Sequence, residues 1–118
     1  MSGKVTSEEK PGFYQGRHYT SYVDEVKALK RMGKLDEAEK LLLALVEATE
    51  AESRAENMGV APGYYKQLAI VYRKRGEHGR ELAILERFAA QQHAAGVSPP
   101  KLLARLEQVR ALLANERG

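Results

Sequence analysis

Two glycines that lie 43 residues apart, Gly33 and Gly76, each separate two stretches in which apolar residues recur with a helical period. Glycine tolerates the left-handed conformation that often follows a helix, so each glycine marks a helix end and a turn into the next helix. When the two glycines are aligned, apolar positions on both sides coincide, as with Tyr22 and Tyr65. The sequence therefore predicts two similar helix–turn–helix units.

Apolar periods along the rest of the chain extend this pattern to five helices and no strand. The second helix is predicted to begin at the N-cap Asp36, with Glu39 completing a capping box. The last helix is predicted to begin at the N-cap Ser98, where Val97 and Leu102 have the spacing of a hydrophobic staple. The remaining helix boundaries are predicted near Thr20, Gly33, Gly59, Pro62, Gly76 and Gly96.

Segments of the two units can be compared with a known repeat. The second unit reads YKQLAIVYRKRG from Tyr65 to Gly76, and the first reads GKLDEA from Gly33 to Ala38. These segments resemble the two halves of the tetratricopeptide signature, an aromatic-x-x-Leu-Gly-x-x-Tyr helix followed by a turn and a small residue. The resemblance covers about residues 19–95. It implies stacked antiparallel helix pairs, with ligands bound in a concave groove lined by the first helix of each pair.

Two residues depart from that pattern, since Glu25 replaces a leucine of the first helix and Glu81 replaces the small residue of the second. The 43-residue period also exceeds the usual one of about 34. A stack of helix pairs needs a cap, because each pair buries its apolar stripe only against a neighbour. The last helix offers a stripe for this role at Leu102, Leu106, Val109 and Leu113. We expect an arm at residues 1–16 and, at 17–118, an all-α domain of two stacked antiparallel hairpins with a capping helix.

The sequence contains no recognisable set of catalytic residues. It has no cysteine, and its three histidines, His18, His78 and His93, are not spaced as metal ligands. Paired carboxylates fall in the arm or at predicted helix starts, and there is neither a nucleophile elbow nor a phosphate-binding glycine loop. We therefore expect a protein that is not an enzyme and that uses no metal or cofactor.

Apolar runs are short throughout the chain. None approaches the roughly 18 to 20 residues that a membrane span requires. The N-terminal residues 1–16 are polar and lack the apolar stretch of a secretory signal. We expect a cytoplasmic protein with no membrane partner.

Charge is distributed unevenly between the predicted helices. Residues 17–34 hold five Lys or Arg against two acids, and residues 64–80 hold five against one, whereas residues 36–57 hold seven acids against two bases. If the resemblance holds, the groove positions of the two leading helices are Lys27, Lys30, Arg31, Lys66, Ile70, Arg73 and Lys74. Charged residues also solvate an exposed helix face and complement the helix dipole, so a purely structural role is the alternative.

Three functions follow from this charge pattern. The first is an adaptor that receives an acidic peptide or protein in the basic groove. The second is nucleic-acid binding by the same helices, with Tyr19, Tyr64 or Tyr65 stacking on bases. The third is a homo-oligomer in which the acidic segment 47–56 of one copy meets the basic helices of another.

Overall fold

A computed structural model describes residues 10–93 and 98–117, and this part of the chain is all-α with five helices. The helices are α1 (Val23–Arg31), α2 (Leu35–Glu56), α3 (Pro62–Lys74), α4 (His78–Ala89) and α5 (Ser98–Arg117). They are preceded by β1 (Phe13–Tyr14), β2 (Arg17–His18) and a 3-10 helix at Tyr19–Tyr22. The predicted all-α class is confirmed, the stacking of the helices as two hairpins with a cap stays a prediction, and the expectation of no strand is wrong. Strands of two residues are too short to show an alternating apolar pattern.

β1 and β2 form an antiparallel hairpin, and this hairpin contacts α2 through the carboxylate of Glu52. One oxygen of Glu52 lies 2.7 Å from Nε2 of His18, and the other accepts a hydrogen bond of 2.9 Å from the hydroxyl of Tyr19. The fit is close, since a Cβ atom at Gly12 would lie 2.7 Å from the Glu52 side chain. The expected division between an arm and a helical domain, after residue 16, therefore runs through a hairpin that packs on the helices.

The two glycine turns share one backbone geometry. Gly33 and Gly76 have φ angles of +74° and +72°, which favour glycine. Around Gly33, three backbone amides donate to carbonyls of the preceding helix: residue 32 to 28, residue 33 to 30, and residue 34 to 29. Around Gly76 the same three hydrogen bonds occur between the residues that lie 43 positions later. The residues that precede α2 and α4 also agree, with φ and ψ of −86° and 66° at Lys34 and −93° and 68° at Glu77.

Two predicted helix caps differ from the structure. α2 follows Lys34 and has no side-chain cap, so the predicted N-cap at Asp36 is wrong. The carboxylate of Asp36 instead binds the guanidinium of Arg75 at 2.6 Å, because the turn before α4 places Arg75 beside the start of α2. α5 begins at Ser98 itself, which is thus its first residue rather than its N-cap.

α4 ends at Ala89 and not near Gly96 as predicted. The reason is a contact beyond the helix: Nε2 of His93 lies 2.7 Å from the carbonyl oxygen of Phe88. The imidazole also stacks on the Phe88 ring, with 4.3 Å between ring centroids. The predicted end at Gly96 and the staple residue Val97 lie outside the described residues.

α3 lies at the centre of the helices and packs against α2, α4 and α5. The hydrophobic core surrounds α3. The largest apolar side chains that are fully buried in this core are Tyr65, Phe88, Leu42, Leu45, Leu68 and Leu85. The side chain of Lys30 in α1 donates a hydrogen bond to Gln67 in α3, so α1 also reaches this helix. α5 therefore packs against α3, and α1 contacts α3 through this hydrogen bond.

Candidate functional site

The predicted site residues lie on α1 and α3, the two helices joined by Lys30 and Gln67. Lys27, Lys30 and Arg31 are spaced three and four residues apart, which places them on one side of α1. The predicted residues of α3 recur at similar spacing and are Lys66, Ile70, Arg73 and Lys74. Lys30 and Ile70 are half-buried, and the others are exposed.

Lys30 marks the junction between α1 and α3. Burial lowers the pKa of Lys30, and the positive charge of Lys74 lowers it further. Two like charges are thus held near each other where the helices meet. Such a pair costs free energy that a bound anion would offset.

Arg73 differs from the other predicted residues because its guanidinium forms an ion pair within the protein. Its Nε atom lies 2.8 Å from one oxygen of Glu81, whose side chain is fully buried. The other oxygen of Glu81 accepts a bond of 2.9 Å from Nε of Arg105 in α5. Glu81 occupies the position that Ala38 has in the first unit, so this departure from the repeat pattern joins α3, α4 and α5. We therefore assign Arg73 a structural role.

Arg75, which follows α3, and the arginines of α4 are also paired, whereas the lysines of α3 have no ion pair with a described residue. Arg75 binds Asp36 at 2.6 Å and Glu39 at 2.8 Å, and Arg87 binds both oxygens of Glu50 at 2.8 Å. Within the described residues, no carboxylate lies within 4.0 Å of the following cations of α1, α3 and α5: Lys27, Lys30, Arg31, Lys66, Lys74 and Lys101. We call these six residues the basic face. Its six positive charges therefore have no ion-pair partner in the part of the chain that the structure describes.

Sequence reasoning missed the contribution of α5. A cleft of about 270 Å³ lies between α3 and α5, and it brings Lys66 together with Lys101 and Arg105. Gly63 and Leu102 form part of its wall. The sequence pattern assigned α5 only a capping role, because the packing of α5 against α3 decides which of its residues lie beside Lys66.

The tyrosines proposed to stack on nucleic-acid bases are not available for that role. Tyr19, Tyr64 and Tyr65 are only 7%, 7% and 0% exposed. The hydroxyl of Tyr64 donates to the carbonyl of Tyr19, and that of Tyr65 donates to Glu50 at 2.7 Å. Burial and the Glu50 carboxylate raise the pKa of Tyr65, which keeps its hydroxyl protonated as a donor. These rings belong to the core, so the stacking part of the nucleic-acid hypothesis is wrong.

Two of the four acids in segment 47–56 are bound within the molecule. Glu50 is bound by Arg87 and Tyr65, and Glu52 by His18 and Tyr19. These two carboxylates cannot serve a second copy without giving up their internal partners. Glu47 and Glu56 of the same segment are exposed, so self-assembly through them stays a prediction.

The paired carboxylates predict how stability depends on pH. Burial alone would raise the pKa of Glu50, but hydrogen bonds from Arg87 and Tyr65 outweigh it and lower the pKa. A carboxylate whose pKa is lower in the folded chain stabilises the fold above its unfolded pKa of about 4.5 and loses this effect as pH falls through the folded pKa. We expect the melting temperature, followed by circular dichroism, to fall below about pH 4.5. At pH 7 the variant Glu50→Gln should have a lower melting temperature than the wild-type protein, and its melting temperature should change less on acidification. If the two proteins lost stability equally in acid, the stabilising role of the Glu50 carboxylate would be contradicted.

Comparison with protein-family models, with curated proteins and with solved structures finds no match to this chain. Over residues 10–93 and 98–117, no helix combines the length and apolar character needed to cross a membrane. The same residues contain no group of three or more His, Asp or Glu side chains that could hold a metal ion. The geometry of the basic face is therefore the main guide to function.

Proposed function

We propose that this protein is a non-catalytic interaction module that binds an acidic peptide or protein segment across the basic face. The observation that carries the proposal is the contrast between paired and unpaired cations. The arginines that contact α2, α4 or α5 have acidic partners, while the cations of the basic face have none among the described residues. An acidic segment would supply the missing counter-charges and relieve the repulsion between Lys30 and Lys74.

A tetratricopeptide-like arrangement of the helices would present this face as a groove. Two observations support that part of the proposal. The turns at Gly33 and Gly76 repeat the same backbone hydrogen bonds, and the leading helices α1 and α3 are joined through Lys30 and Gln67. Parallel leading helices placed side by side form a surface long enough for several residues of an extended peptide.

Peptide titrations test the proposal directly. The probe is a fluorescein-labelled dodecapeptide in which Glu and Asp alternate with neutral residues, and the control peptide has Gln and Asn instead. We expect the fluorescence anisotropy to report saturable binding of the acidic probe alone, with affinity falling about tenfold between roughly 50 and 200 mM salt because exposed charges are screened. No binding of the acidic probe at low salt would contradict the proposal. A single-stranded oligonucleotide that bound more tightly would favour the nucleic-acid alternative.

The natural partner can be sought with the same protein. Affinity capture from extract of the source cells, followed by mass spectrometry, should enrich proteins that contain acidic segments. Elution at moderate salt is expected because the contacts are between exposed charges.

A further inference from the structure

The cleft between α3 and α5 differs in chemistry from the rest of the basic face. Leu102, which is only 4% exposed, lines the cleft together with Pro62 and Gly63, so part of its wall is apolar. Lys66 and Lys101 also line it, one from each helix. The ammonium groups of both are without a carboxylate partner in the described part of the chain. The cleft thus combines an apolar wall with two lysines that form no ion pair with any residue in the ranges 10–93 and 98–117.

The size of the cleft limits what can occupy it. A volume of about 270 Å³ lies below the range of about 300–1,000 Å³ that is usual for drug-sized ligands and cofactors. One aliphatic side chain, with part of the backbone that carries it, is a better match. The lysines at the cleft suit carboxylates on either side of that residue.

We propose that the cleft seats one aliphatic side chain of the acidic peptide, while neighbouring carboxylates of the peptide bind Lys66 and Lys101. This inference rests on the proposed function, and it adds that the partner motif combines acids with an apolar residue. The positive charge of the cleft favours an acidic partner, and two of the four acids in segment 47–56 of a second copy, Glu50 and Glu52, are held by internal partners.

Gly63 is a position from which a side chain can fill the cleft. It is the second residue of α3, it lines the cleft, and a Cβ atom at this position would have no atom within 4 Å. Gly79 provides a matched control, because it is the second residue of α4, has the same open surroundings and lies outside the cleft. Gly63→Leu should therefore block the cleft, whereas Gly79→Leu should leave it open. Both replace a glycine in a helix with a better helix former.

The experiment uses two fluorescein-labelled acidic hexapeptides that are identical except for one central residue, leucine in one and serine in the other. We expect the wild-type protein and Gly79→Leu to bind the leucine peptide about tenfold more tightly than the serine peptide, because the leucine side chain is buried in the cleft. Gly63→Leu should bind both peptides with the affinity of the serine peptide. Circular dichroism spectra and light scattering of the three proteins check that fold and oligomeric state are unchanged.

Each outcome separates this inference from the proposed function. Salt-dependent binding of both peptides with equal affinity would overturn the inference and leave the proposed function standing. The inference would also be overturned if Gly63→Leu still bound the leucine peptide more tightly than the serine peptide. Failure of the wild-type protein to bind either peptide would overturn both. A dimer of the wild-type protein that Gly63→Leu dissociates would show that a second copy occupies the cleft, and would also overturn the inference.

Discussion

The triple variant Lys27→Glu, Lys66→Glu and Lys74→Glu should bind the acidic dodecapeptide at least about 100-fold more weakly than the wild-type protein. Each substitution removes an attractive charge and adds a repulsive one at an exposed position of α1 or α3. The three side chains have no ion pair with a described residue, so their replacement breaks no internal contact of that kind. Fluorescence anisotropy measures the affinity, and the helical circular dichroism spectrum should be unchanged.

A second triple variant controls for net charge. Lys10→Glu, Lys40→Glu and Arg54→Glu change the net charge by the same amount, and all three positions are exposed and lie outside α1, α3 and α5. This variant should lose less than about threefold in affinity, because its three positions lie outside the helices that carry the basic face and salt screens exposed charges that do not contact the peptide. Equal losses in both variants would show that only net charge matters. Unchanged binding in the first variant would remove the basic face as the site.

The largest effect on stability is expected at the buried carboxylate of Glu81. Glu81→Ala should lower the free energy of unfolding by about 3 kcal/mol, because it leaves Arg73 and Arg105 facing each other without their shared counter-charge. Both arginines lie within 2.9 Å of this carboxylate in the wild-type structure. Urea unfolding followed by circular dichroism measures the change.

An exposed ion pair of the same helix provides the comparison. Glu86 in α4 lies 3.4 Å from Arg110, and both side chains are about half exposed. Glu86→Ala should therefore change the free energy of unfolding by less than about 0.5 kcal/mol. A similarly small effect of Glu81→Ala would contradict the structural role of the Glu81 carboxylate.

A triple replacement separates loss of charge balance from loss of packing. Changing Arg73 and Arg105 to Met together with Glu81→Leu removes all three charges while keeping apolar volume. Replacing a buried ion-pair group by apolar residues of similar size is often neutral or stabilising. We expect this variant to recover most of the stability lost in Glu81→Ala. Stability as low as that of Glu81→Ala would show that the loss arises from packing.

Local patterns in the sequence were sufficient to predict the five helices and the two glycine turns. The apolar period and the glycines at 33 and 76 depend only on residues a few positions apart, and the structure has five helices in its described part. The hairpin before α1 could not be predicted in this way, because its strands have two residues each. The end of α4 was misplaced because His93 folds back onto Phe88 instead of continuing the helix. The cap at Asp36 was misassigned because that carboxylate binds Arg75, which is distant in the sequence.

The sequence by itself determined where positive charge accumulates, because the helical period places Lys27, Lys30 and Arg31, and likewise Lys66 and Lys74, along one side of a helix. Only the tertiary structure decided which cations are available to a partner. Arg73 and Lys74 are adjacent in the sequence, yet Arg73 is bound by the buried Glu81 and Lys74 has no carboxylate partner among the described residues. The packing of α5 likewise places Lys101 beside Lys66. An ion pair depends on the distance between two helices, and the spacing of residues within one helix carries no information about that distance.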